Sequence, residues 1–441
     1  MNCPDQKTMY PNYRSKLKAI SLFCIFAVLL LMGLVACSSV PKRLKPANAI
    51  DLSIFQQDSS FSEYIKLSKQ QIKAIRKATD PNVTEEVILA NTPFEYKPYS
   101  KKCQKEKGAL KYKRGILLIH GLTASPYLMQ DLGKFFSKHC FLVRAILLPG
   151  HGTRPGDLLN VSYNDWVKAV NYGLQSFNGQ AENLFIAGYS IGGELAIHHA
   201  LSSKNSHKRS VTSQELKKNS PAVKGLFLFS PALKPKNGLA FLAGTVSLFK
   251  DWLSITEDRD FAAYESFPYN AAAQSHQLSH EIDLLLKTRT TFPIPVFLAL
   301  SKDDETVDSD YTIDVFRRYM NTDVNHMQLY TNRPELYKTD QRINALQSLI
   351  SNENIVSFSH TSIIVPRNHP HYGFYGDYRR CLHYLEHSPE WLECIGDPEI
   401  SQGEVSQAIL DHYSIRQLTY NPYYNEMLNA MEKFIERLEG M

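Results

Sequence analysis

A chain of 441 residues has room for two or three domains, or for one large α/β domain with insertions. Hydrophobic residues at 43% and charged residues at 21% sit near globular averages, which excludes a fully disordered, collagen-like or multi-span membrane protein. Much of the net charge of +5 lies in residues 1–36, where Lys7, Arg14, Lys16 and Lys18 face only Asp5; the remainder is too weakly basic to imply nucleic acid, and seven cysteines are too few for a disulfide scaffold.

In chain order, a basic segment (Arg14 to Lys18) precedes an uncharged apolar run from Ala19 to Ala36. This is the order of a signal peptide, although the run is also about long enough for a marginal membrane span. It closes on Leu34-Val35-Ala36-Cys37, which resembles the bacterial lipoprotein signal. That resemblance implies removal of residues 1–36 and acylation of Cys37. With Ser38 next, it implies a lipid-anchored protein of the cell envelope, on the periplasmic face of the outer membrane. Residues 37–85 then read as a membrane spacer followed by a helix over 61–79, with Ile65, Ile72 and Ile75 on one side and Asp80-Pro81 as its stop. An exported location is oxidising. Apart from Cys3, Cys24 and Cys37, four cysteines remain: Cys103, Cys140, Cys381 and Cys394. They fit two disulfides or four free thiols, and proximity suggests Cys381–Cys394.

From residue 115 onward, short apolar runs alternate with helical stretches. The runs are Ile116–Ile119, Phe141–Leu148, Leu184–Ala187, Leu226–Phe229, Val296–Leu300 and Ile355–Phe358; 160–176 and 191–203 are helical. Near-continuous apolar strands between helices predict a parallel sheet covered on both faces. Met427, Met431, Phe434 and Leu438 recur at helical spacing and predict a last helix packed on the sheet. The gap between the fourth and fifth runs exceeds an ordinary crossover. It predicts a cap at 237–292 inserted between a first core part, 86–236, and a second, 293–441. Its dense apolar stretch, Leu239 to Phe249 with Trp252 and Leu253, offers a wall to an acyl chain or simply packs the cap on the body.

The run Leu184–Ala187 leads into Gly188-Tyr189-Ser190-Ile191-Gly192-Gly193 and then a helix. Gly-x-Ser-x-Gly between strand and helix is a sharp turn that needs small flanking residues and lifts the serine above the sheet edge. A second apolar strand ends in Ile119-His120-Gly121-Leu122. The stretch from Gly115 to Leu158, with Gly150-His151-Gly152 and then the serine motif, resembles the α/β-hydrolase superfamily, nearest its carboxylesterase and monoacylglycerol-lipase branch and the related serine aminopeptidases. The resemblance spans roughly residues 90–365 and the terminal helix. It implies an α/β-hydrolase fold with a mostly parallel eight-stranded sheet, a Ser-acid-His triad in that chain order, and no cofactor.

Carried onto this chain, the resemblance implies Ser190 as nucleophile, with the backbone N–H groups of Leu122 and Ile191 as oxyanion hole. The acid should follow the run Val296–Leu300. The pattern Asp-x-x-Val selects Asp304 with Val307, leaving Asp303 and Glu305 as ordinary loop charges. For the histidine, His326 comes too soon. After an apparent insertion, Asn332 to Asn354, the run Ile355–Phe358 reads as a strand leading to His360, with His369 and His371 as loop competitors. His120 reads as structural, His198 and His199 as packing residues, and no metal motif is present. The expected reaction is hydrolysis of a small-molecule ester or lipid through an acyl-enzyme. A serine peptidase, an acyltransferase or a non-catalytic envelope lipoprotein of the same fold are the alternatives.

Overall fold

The computed structural model describes residues 40–47, 60–99, 103, 111–202, 222–236, 243–247 and 249–439. Residues 1–36, which the sequence pattern reads as a signal peptide, Cys37, and residues 237–242 and 248 of the inserted segment lie outside the described residues. The chain divides into a short unit, Met1–Lys42, and a compact one, Arg43–Met441, to which everything below belongs.

Eight strands form the main sheet: β1 (Phe94–Tyr96), β2 (Tyr112–Ile119), β3 (Phe141–Ile146), β4 (Ala181–Tyr189), β5 (Val223–Phe229), β6 (Val296–Ser301), β7 (His326–Thr331) and β8 (Ile343–Gln347). Their order is β1-β3-β2-β4-β5-β6-β7-β8. Only the β1–β3 pair is antiparallel. Side chains alternate across a strand, so a strand buried on both faces needs apolar residues at every position. β2 illustrates this: Leu117 and Ile119 enter one core, Ile116 and Leu118 the other, and all four are fully buried. Trp166 of α3 (Tyr163–Gln175), Leu195 of α4 (Ile191–Ser202) and Phe316 of α6 (Ser309–Tyr319) belong to the first core. Phe136 of α2 (Gln130–Lys138) and Phe434 of α7 (Tyr424–Glu439) belong to the second. In α7, Met427, Met431 and Phe434 are buried as their spacing predicts, and Leu438 is half-buried.

Three expectations are corrected. Ile355–Phe358 is not a sheet strand. Ile355 makes isolated bridges to Ile350 and Gln402, and its burial with Phe358 comes from packing in the second core. The last strand is β8, inside the stretch read as an insertion; Ile-Asn-Ala-Leu-Gln at a sheet edge has one exposed side and carries little apolar signal. Nor is the segment from Arg43 to Ala47 merely a spacer. The Arg43 guanidinium donates to Asp258 Oδ2 at 3.1 Å, Ser266 Oγ at 3.0 Å and Thr256 O at 2.8 Å. Helix α1 (Phe61–Thr79) is docked as well: its Tyr64 hydroxyl accepts from Leu147 N at 2.9 Å, and Arg76 Nε donates to Gly152 O at 2.7 Å.

Cys381 and Cys394 are disulfide-bonded, as are Cys103 and Cys140, so the alternative of four free thiols falls. Residues 348–423, between β8 and α7, form an excursion over the sheet edge. It contains the second disulfide, a helix at Pro389–Gly396, and a two-stranded parallel pair, Ser401–Gly403 with Ile415–Gln417.

Candidate active site

The turn between β4 and α4 holds Ser190 at φ +54°, in the left-handed region that side chains rarely adopt. The neighbouring glycines make this possible. A Cβ on Gly188 would come within 2.2 Å of Gly192 O, and one on Gly192 within 2.2 Å of Ile119 O. The backbone around the serine is anchored to the next strand: Ser190 N donates to Phe229 O at 2.9 Å, and Ala232 N to Ser190 O at 3.2 Å. Sheet edge and helix start thus fix the position of the hydroxyl.

The structure brings Ser190, His360 and Asp304 together. The Ser190 hydroxyl is 3.0 Å from His360 Nε2, and His360 Nδ1 is 2.7 Å from Asp304 Oδ2. A carboxylate facing Nδ1 keeps the proton there, which leaves Nε2 as an acceptor for the serine hydroxyl. The other carboxylate oxygen, Asp304 Oδ1, accepts from Thr306 N at 2.8 Å and Val307 N at 2.9 Å. Asp304 is fully buried in the loop after β6. Burial alone would lower the His360 pKa; the Asp304 charge and hydrogen bond overcome that and hold it above the usual histidine value. His360 opens a 3-10 turn, His360–Ser362, in the excursion, rather than ending a strand.

The competitors lie elsewhere. His369 Nδ1 accepts from His371 N and Tyr372 N, both at 3.1 Å, and burial lowers its pKa to about 4. His371 faces Asp260 and Asp377. Asp303 accepts from Ser348 Oγ at 2.6 Å, and Glu305 is exposed. His120 is fully buried: its Nε2 accepts from Leu148 N at 3.0 Å, so Nδ1 carries the proton, 2.8 Å from Gly121 O. It therefore braces the loop carrying Leu122. Trp166 Nε1 donates to Pro149 O at 3.1 Å. Among the described residues no cluster of three or more His, Cys, Asp or Glu could hold a metal ion.

A cavity of about 410 Å³ opens over Ser190, with Leu122, Ile191 and His360 in its wall. Leu253, Phe267, Ala272 and Ser275 of the inserted segment also line it. Phe249 does not: it is 87% exposed, so the apolar stretch beginning the insertion is not one continuous wall. Helix α5 (Tyr269–Lys287) is tied to α4 through Glu194, which accepts hydrogen bonds from Ser275 and Ser279. Burial pushes the Glu194 carboxyl well above its usual range, against the two serine hydrogen bonds that lower it.

Glu404 at the site is not marked by the sequence. Glu404, in the excursion, is buried and accepts from His360 N at 3.0 Å, Glu305 N at 3.3 Å and Val405 N at 2.9 Å. Burial first, and the nearby Asp304 charge second, raise its pKa. It thereby joins the loops carrying Asp304 and His360. No local pattern marks it; only its place in the folded excursion does.

Residues 116–329 match the alpha/beta hydrolase family. The chain is 34% identical to a thermostable monoacylglycerol lipase of Bacillus sp. (strain H-257) over 86 residues, 20% of this chain and 34% of that protein. It is 27% identical to a carboxylesterase of Bacillus subtilis (strain 168) over 85 residues, 19% of this chain and 35% of that one. The chain thus spans about a third of the length of these curated relatives. Among solved structures, the monoacylglycerol lipase of Paleococcus ferrophilus aligns with a TM-score of 0.39 at 17% identity, covering 54% of this chain and 88% of that one.

Proposed function

We propose that this chain, whose residues 116–329 match the alpha/beta hydrolase family, is a serine-dependent carboxylic ester hydrolase acting on esters or monoacylglycerol-like lipids. The observation that carries the reading is the hydrogen-bonded line from Ser190 through His360 to Asp304 at the mouth of a cavity. His360 Nε2 takes the hydroxyl proton as Ser190 Oγ attacks the ester carbonyl. Asp304 holds the imidazole by Nδ1 and stabilises the imidazolium that forms. The oxyanion develops between the backbone N–H groups of Leu122 and Ile191; losing one such donor typically costs about 10²–10³ in rate. His360 then returns its proton to the leaving alcohol, and water, activated by the same imidazole, hydrolyses the acyl-enzyme.

A fluorophosphonate probe tests the reading. The wild-type protein should be labelled at Ser190 and should hydrolyse p-nitrophenyl esters. No labelling under conditions that label a control esterase would remove it. Prolyl amides and an added alcohol acceptor, run alongside, would expose peptidase or acyl-transfer activity instead.

The envelope address is part of the same proposal. Its support is the order of basic segment, apolar run and Leu34-Val35-Ala36-Cys37, together with two disulfides, which persist in oxidising compartments. Mass spectrometry should find a diacylglyceryl group on an N-terminal Cys37. An N-terminus elsewhere, or an intact 1–36 segment, would contradict it.

A further inference from the structure

Arg380 is the only Lys or Arg among the described residues lining the cavity over Ser190. Its Nε donates to Gln417 Oε1 at 2.7 Å. Gln417 Nε2 donates in turn to Glu404 Oε1 at 3.0 Å, and the other oxygen of Glu404 receives His360 N. That line of side chains fixes the guanidinium relative to the imidazole. It uses only Nε, and among the described residues neither Nη atom has a hydrogen-bond partner and no carboxylate lies within 4 Å of the guanidinium.

Asp260, also in the cavity wall, and Glu265 act on Arg380 through their charge but place their hydrogen bonds elsewhere. Asp260 accepts from the Tyr372 hydroxyl at 2.9 and 2.8 Å, from Ala262 N at 2.9 Å, and faces His371 Nε2 at 3.2 Å. Burial lowers the His371 pKa, but Asp260 and Asp377 more than offset this and favour the imidazolium that matches Asp260. Glu265 accepts from the Tyr378 hydroxyl at 2.5 Å and from Arg259 N at 2.6 Å. Burial penalises the guanidinium, but nearby Tyr378, Asp260 and Glu265 more than offset this and hold its pKa above the usual value, so a charged group with both Nη atoms open faces the cavity. Its planar fork matches the two oxygens of a carboxylate or phosphate.

We propose that Arg380 is a specificity residue that reads an anionic group, carboxylate or phosphate, carried by the ester substrate at a distance from the scissile bond. The inference rests on the ester-hydrolase reading above and extends it to a substrate class: esters with an apolar portion and one oxyanion group. In the bound state the two Nη groups donate to the anion while Nε keeps its bond to Gln417, so the anion is registered against His360 through Glu404.

The test compares matched esters on the full chain, in two arms. On the acyl side, p-nitrophenyl hemiesters of succinate, glutarate and adipate are set against neutral p-nitrophenyl esters of equal chain length. On the alcohol side, 1-butyrylglycerol 3-phosphate is set against 1-butyrylglycerol. In at least one arm the anionic member should have about tenfold or more higher kcat/KM, the size expected of a charged hydrogen bond. The arm identifies which side of the ester carries the charge. Arg380→Gln should reduce that anionic-to-neutral ratio by a similar factor, chiefly through KM, and Arg380→Lys should restore part of it. Should Arg380→Gln fail to fold, the wild-type ratios and the Lys variant still decide. A ratio near one in both arms, or a ratio indifferent to the Arg380 variants, overturns the proposal while leaving the esterase reading intact. Absence of hydrolysis of every ester, together with absence of fluorophosphonate labelling, removes both.

Discussion

Two regions meet at Ser190, and they are built on different terms. At the carboxyl edge of the sheet, Ser190 follows β4 and Asp304 follows β6, each held within a few residues by its own loop. Gly188 and Gly192 allow the turn at Ser190, and the N–H groups of Thr306 and Val307 cradle Asp304. In the excursion after β8, His360, Arg380, Glu404 and Gln417 come from segments up to 57 residues apart in sequence, and only tertiary contacts assemble them. Placement by a strand and its loop survives most changes elsewhere in the chain. Placement by a long excursion depends on whatever ties that excursion down.

The sharpest break falls on the sheet side. Ser190→Ala removes the hydroxyl proposed as nucleophile and should cost about 10⁶-fold in kcat, the scale of nucleophile loss in a dissected serine hydrolase. The fold should survive, because the serine hydroxyl holds no packing. Circular dichroism and residual turnover of the purified variant check both halves. Retained turnover would remove Ser190 as nucleophile.

Asp304→Asn should cost about 10⁴-fold, since the imidazole then loses its tautomer and the charge that supports it. The same contact sets the pH response. The His360 pKa is held above its usual 6.5 by Asp304, against the lowering effect of burial. The reaction needs neutral Nε2, so kcat/KM should be full at higher pH and fall as pH drops through a midpoint above 6.5. A wild-type acid limb centred at or below 6.5 would contradict the geometry.

Crossing to the excursion, Glu404→Ala should lower kcat by about 10²-fold, the scale of a misplaced catalytic geometry. Glu404 is a positioning residue, acting through the His360 backbone. Its charge also helps to raise the His360 pKa. Glu404→Gln keeps an acceptor for His360 N, so it should recover much of the turnover while moving the acid limb to lower pH. A purely structural role would give no such shift.

The same division explains what was legible in the sequence. β2, β4, β5 and β6 are buried on both faces, so they must be apolar at nearly every position, and the chain announces them. The serine turn announces itself because steric exclusion at Gly188 and Gly192 fixes a local pattern, and Asp304 follows from the Asp-x-x-Val pattern of the family that the chain resembles. His360 was reached through a strand that does not exist: Ile355 and Phe358 are apolar because they pack in the second core, which mimics a strand in one dimension. β8, half-exposed at the sheet edge, was hidden for the opposite reason. Glu404 and Arg380 left no local trace, since a buried charge looks like a surface charge until its partners are known.

The mildest effect tests whether the excursion is tied down by its own cross-link. Cys381 adjoins Arg380, and its bond to Cys394 closes a short loop, with 13 positions separating the two cysteines. Closing a loop of that size is worth about 3 kcal/mol in the chain-entropy account. The double variant Cys381→Ser, Cys394→Ser should therefore unfold at lower denaturant, and should lose about a few-fold in kcat/KM as local opening loosens Arg380 and Gln417. Removing Cys103–Cys140, which anchors the start of β3 instead, should also cost stability but leave kcat/KM of the folded protein nearly unchanged. Both double variants can be compared by urea titration and by steady-state rates well below their midpoints. If the two pairs affect turnover alike, the line between a sheet side placed by its own strands and an excursion placed by its ties has been drawn in the wrong place.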